Sequence, residues 1–166
     1  MTSRAHRGSE RLQRVLLCSA LLAALHVAYA AFTMTEVVTP SLGTVLSGAS
    51  GRQFILNTDE TVSGANAADY LFGAVSGELL LDRGKDKGKA AVNIVAENIS
   101  TTGGVTVGAV PCRFHKDAQT TCDGGGINVN LDKKKTVWVG VDITTSQVHS
   151  GGDTASITYD ITVTFL

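Results

Sequence analysis

Residues 154–166 (TASITYDITVTFL) put Ala155, Ile157, Tyr159, Ile161, Val163 and Phe165 on one face and mostly hydroxyl and acidic side chains on the other. Alternation sustained over this length is the period of a β-strand with one buried face, and the β-branched and aromatic content suits a pleated, half-buried surface. The run 136–144 repeats the pattern, with Val137, Val139, Val141 and Ile143 on one side. With the Gly-rich segment between them, the two read as consecutive antiparallel strands, and the rest of the chain must supply the sheet that covers them. The later of the two is the closing strand, carried by Ile157, Tyr159, Ile161, Val163 and Phe165.

The start of the chain differs in kind. Arg4, Arg7, Arg11 and Arg14 precede an apolar run, 15–25, which is followed by Ala28-Tyr29-Ala30. A charged start, an apolar middle and a small-x-small site make a secretory signal peptide over residues 1–30, cut after Ala30. A membrane-spanning helix needs roughly 20 apolar residues, and the run 15–27 is shorter and carries Cys18, Ser19 and His26. The expected mature chain, 31–166, is therefore a single domain with no membrane span, exported through the periplasm and secreted or held at the cell surface.

Of the 14 basic and 15 acidic residues, four and one belong to the leader, which leaves ten against fourteen and a formal charge of −4. A mildly acidic domain has no footprint for nucleic acid, which calls for a basic face. Two of the three cysteines remain, Cys112 and Cys122. In an oxidising compartment so close a pair reads as one local disulfide closing a polar loop.

The intervening chain reads as short strands between turns. Residues 31–38 (AFTMTEVV) form a strand with Phe32 and Met34 on one face, broken by Glu36 and ended by Pro40 and Gly43. Residues 53–56 are a second short strand, and the polar residues 57–66 are a loop. Ser76-Gly77 divides 67–81 into two strands rather than one helix. The charged residues 82–89 (DRGKDKGK) form an exposed hairpin tip whose basic groups suit a phosphate or an acidic glycan. Further strands follow at 90–100, at 105–110 up to Pro111, and at 127–131, where 132–135 (DKKK) turns the chain toward Trp138. Eight to ten short strands at even spacing imply an all-β, immunoglobulin-like antiparallel sandwich.

Chemistry is harder to find. No nucleophile with a base, no paired carboxylates and no set of metal ligands stand at a recognisable spacing, so the expectation is a non-enzyme with no cofactor. His115 and His149 sit apart in polar surroundings and read as exposed loop residues; Asp117 and Asp123 lack the alternating acids of a calcium loop. Trp138, opposite the valine face, either packs beneath a neighbour or offers a contact to a glycan or partner.

Residues 67–73 (AADYLFG), then Val139-Gly140-Val141-Asp142-Ile143, Gly151-Gly152 and residues 157–163 (ITYDITV), resemble the small secreted bacterial domains of unknown function that are pilin-like. The resemblance implies a fimbrial-subunit type of sandwich, without catalytic residues, acting as a structural or adhesive surface subunit. Its implied partners are identical or related subunits joined by strand addition, and a periplasmic chaperone. Phe32, Met34 and Val38 are then the anchors of a donor strand, which either fills a neighbour's groove or pairs within its own sandwich. The chain departs from chaperone-assembled pilins in the close spacing of Cys112 and Cys122. The competing expectation is a monomeric ligand-binding module, for a glycan or a metal, built on the loops at 82–89 and 112–122.

Overall fold

In the computed structural model, the short apolar runs between glycines become, among the described residues, fourteen strands and one 3-10 turn, and every strand pairing there is antiparallel. The structure describes residues 32–85 and 88–166. The expected leader, 1–30, and Ala31 after it lie outside the described residues. In chain order the strands are β1 (Thr33–Val38), β2 (Thr44–Val45), β3 (Gln53–Leu56), β4 (Val62–Ser63), β5 (Tyr70–Phe72), β6 (Gly77–Asp82) and β7 (Ala90–Thr102). They continue with β8 (Val105–Ala109), β9 (Pro111–Phe114), β10 (Thr120–Thr121), β11 (Ile127–Leu131), β12 (Lys134–Val139), β13 (Val141–Thr145) and β14 (Ser156–Phe165); the 3-10 turn Ala67–Asp69 leads into β5.

The fold is an all-β antiparallel sandwich. One sheet has the order β1-β6-β12-β9-β10 and a second the order β4-β3-β13-β8. They meet along one long bent layer, because β12 runs into β13 at Gly140 while their partners β9 and β8 meet at Val110. The bend requires glycine: a Cβ at Gly140 would collide with the backbone oxygen of Leu56. A third sheet, β11-β7-β14, covers the first, and the small pair β2-β5 stands over the second.

Two cores result. The larger lies between the first and third sheets and gathers Leu81, Val92, Ile94, Phe114, Leu131 and Val137, all buried. The smaller gathers Phe54, Leu56, Val105, Val141 and Ile143 on the inner face of the second sheet. Every strand and both cores fall within Phe32–Leu166, one compact unit.

Several expectations change. The strand count exceeds eight to ten because β2, β4 and β10 have two residues each, too few to show alternation, and because two long runs bend into pairs. The polar residues 57–66 are not all loop, since β4 pairs with β3. The 136–144 run and the closing strand are not neighbours: β12 and β13 belong to one layer and β14 to the other. Both turn an apolar face inward, and the connection between them is long enough to cross the roughly 10 Å that separates packed sheets. Residues 82–89 are likewise no hairpin, for β6 and β7 lie in different sheets. Pro111 opens a strand as well as ending one, so Cys112, Arg113 and Phe114 belong to β9 rather than to a polar loop.

The strand with the cleanest alternation is an edge. β14 pairs with β7 alone, and its burial alternates between half-buried and exposed over most of its length, with Phe165 48% exposed. A bulge in β7, where Asn98 takes a left-handed φ of 53°, keeps Ile157 and Tyr159 facing the cores beyond the point where the register shifts.

Candidate functional site

The smaller core is incompletely roofed. Between the segment 40–48 and the start of β14 lies an open groove of about 710 Å³, with Phe54, Val105, Val141 and Ile143 in its floor. Val45 and Leu46 line one wall, Ile157 and Tyr159 the other. Sequence dictates this gap. The segment after Pro40 is rich in Gly, Ser and Thr and is held by the two residues of β2 and by isolated bridges from Ser41 to Val75 and from Gly48 to His149, so it does not complete the layer beside β14.

Both walls are strand edges. β14 is bonded to β7 on one side and β2 to β5 on one side, and the sides that face the groove carry no ladder. One end is closed, where Gly48 and His149 exchange backbone hydrogen bonds of 3.1 and 3.0 Å. Polar groups hold that end in place. Arg52 donates to the Leu46 carbonyl oxygen, lies 2.5 Å from Asp69 and sets its guanidinium 5.3 Å from the centre of the Phe54 ring. His149 is half-buried rather than exposed: its Nε2 lies 3.1 Å from the Gly104 oxygen and its Nδ1 3.9 Å from Asp153. At the opposite end, burial first and the Glu36 carboxylate second hold the Tyr159 hydroxyl well above its ordinary value of 10.0.

The strand expected at 31–38 is present as β1 and pairs within its own sandwich. β1 runs along β6, with Met34 opposite Leu81 and Glu36 opposite Leu79, and a bulge follows at Val37. Five of its six residues are exposed. Phe32 packs against the larger core and meets the Phe165 ring edge-on at 5.3 Å. The bulge separates Val38 from Met34, so the three anchors do not share one face: Met34 follows the core-facing row, and Val38 stands opposite Glu78 on the outer side.

Cys112 and Cys122 lie at disulfide distance, with Cα atoms 5.7 Å apart. They are fully buried in the larger core, not at the foot of a solvent loop. The Cys122 oxygen accepts from Ala96 of β7 at 2.7 Å, and its amide donates to the Val110 oxygen at 2.9 Å, so it ties one layer to the other. In comparisons with family models, curated proteins and solved structures, nothing matches this chain.

Trp138 is half-buried on the outer face, with the Arg113 guanidinium 4.6 Å from its ring centre, which occupies the surface a sugar would stack on. Arg113 also donates to the Thr58 oxygen at 3.2 Å. Among the described residues, no three His, Cys, Asp or Glu side chains are grouped to hold a metal ion, and no helix is long and apolar enough to cross a membrane. Sequence reasoning missed the groove. Its floor comes from β3, β8 and β13 and its walls from two further segments, and no short motif reports such a convergence.

Proposed function

We propose that this protein is a secreted structural or adhesive surface subunit, pilin-like in design, whose copies join by β-strand addition. The observation that carries the reading is one coincidence: an apolar floor lies open between two strand edges that have no strand partner among the described residues. An added strand gains a backbone ladder along β14 and sets alternate side chains over Phe54 and Ile143, the arrangement by which extended segments are recognised at sheet edges. An edge left bare invites indiscriminate pairing. A periplasmic chaperone is the partner suited to cover it before assembly.

The donor is β1 of another copy. It is extended, largely exposed and bonded along β6 alone, so it leaves its own sheet at the lowest cost of any long strand. Phe32, Met34 and Val38 supply its apolar contacts. Glu36 must stay at the open rim of the groove, because a buried and unpaired carboxylate is costly.

Two variants of the chain from Phe32 onward test this, read by size-exclusion and electron microscopy. Leu46 is 47% exposed on the groove wall, so Leu46→Asp keeps the fold and abolishes assembly. Removing residues 32–39 leaves a domain that accepts a strand but cannot donate one, and it terminates wild-type assemblies. A wild-type chain that stays monomeric at high concentration contradicts the proposal, as do variants that assemble as it does.

A further inference from the structure

Far from the groove, the turn between β6 and β7 and the turn between β11 and β12 come together at one pole. The amide of Arg83 donates to the Lys133 oxygen at 3.0 Å, and the Arg83 side chain donates to the Gly88 oxygen at 2.8 Å. Among the described residues, the contact gathers Arg83, Lys85, Lys89, Lys133, Lys134 and Lys135 with Asp82 and Asp132. Lys135 holds Asp132 at 3.1 Å and keeps its carboxyl below the ordinary range.

The charges are sharply divided. The described residues carry nine Lys and Arg and thirteen Asp and Glu; six and two of these are at the pole, which leaves three and eleven elsewhere. The pole is therefore +4 and the remainder −8. Lys85, Lys89, Lys133 and Lys134 are exposed.

Apolar side chains stand beside this charge. Met34, opposite Leu81 near the end of β6, is 42% exposed, and Phe165, opposite Val92 near the start of β7, is 48% exposed. The chain also enters the domain here, since Thr33 pairs with Asp82.

We infer that the pole is a docking surface for an anionic phospholipid bilayer, with the lysines at the headgroup phosphates and Met34 and Phe165 at the acyl boundary. Lysines beside exposed apolar side chains match that interface, where charge and apolar burial act together. A soluble anion has no use for the apolar pair. The groove lies at the other end of the sandwich, so the lysines and Phe165 keep this surface whether or not β1, which carries Met34, is exchanged between copies.

Flotation of the chain from Phe32 onward tests it, using vesicles of equal phosphatidylglycerol and phosphatidylcholine against pure phosphatidylcholine. Binding is expected to the anionic vesicles only, and to weaken steeply toward about 1 M salt, where the Debye length is about 3 Å. Each surface lysine near an anionic leaflet contributes roughly a fivefold gain, so Lys85→Gln, Lys89→Gln, Lys133→Asn and Lys134→Gln together cost on the order of a hundredfold or more. An unaltered thermal midpoint shows that the fourfold variant is folded. Equal binding to both vesicle types, undiminished binding of the fourfold variant, or no binding overturns the inference. So does salt-sensitive self-association without vesicle binding, which assigns the pole to the acidic flank of a second copy.

Discussion

Replacing Cys112 and Cys122 together by alanine is expected to weaken the whole sandwich, not one loop. Closing a loop across a sequence separation of 10 restricts the unfolded chain by about 3 kcal/mol in the chain-entropy picture. Both sulfurs are fully buried among Phe114, Val139 and Ala96, and removing each leaves space worth about 1 kcal/mol more. The sum is about 5 kcal/mol, a large part of the stability of an ordinary domain. For a chain of this size each kcal/mol moves the thermal midpoint by about 3 °C, so the double variant should melt about 15 °C lower. Calorimetry on wild type and variant measures it. Burial adds a second expectation: reductant without denaturant leaves the wild-type pair unlabelled by a thiol reagent. A midpoint lowered by less than about 4 °C, or rapid labelling of the native protein, would refute the claim that this pair belongs to the main core.

Phe54→Ala removes the largest side chain of the smaller core and should cost about 3–5 kcal/mol in urea unfolding, while Leu46→Asp on the exposed wall costs less than about 1. Gly140→Ala drives a methyl into the Leu56 backbone and should destabilise by more than about 2 kcal/mol, where Gly151→Ala, in open space, leaves unfolding nearly unchanged. The raised Tyr159 hydroxyl has a signed consequence: the folded state keeps its proton where the unfolded state loses it, so stability is unaffected below pH 10.0 and falls as pH rises above it. Tyr159→Phe should flatten that alkaline fall, and unfolding curves from pH 8 to about 11 check it. Asn98→Val puts a β-branched residue in a left-handed bulge and should cost about 1–2 kcal/mol, and Asn98→Gly close to nothing.

Strands were legible because alternation is a local property. Gln53–Leu56 and Ile127–Leu131 occupy the places their apolar runs mark. Pairing was not legible, because a strand with one apolar face fits either layer. That is why the 136–144 run and β14 read as neighbours although the run pairs with β6 and β9, then with β3 and β8, and β14 pairs with β7. Burial of the cysteines was hidden in the same way. The residues between them are polar, yet Phe114 and the bond from Ala96 to Cys122 pull the pair inward. The basic pole joins two turns far apart in sequence, each of which alone looks like a solvated tip. Gaps leave no motif, so the groove could be found only once five segments were in place around Phe54.

Hydrogen exchange before and after assembly addresses strand addition most directly. In dilute protein the amides of Thr44–Val45 and of residues 155–159 that point away from their ladders have no backbone partner and should exchange quickly. On assembly of the chain from Phe32 onward they should slow together by a hundredfold or more, while β6 amides that face β1 become faster as that strand is exchanged between copies. Assemblies in which both groove edges still exchange at the dilute rate would contradict the account.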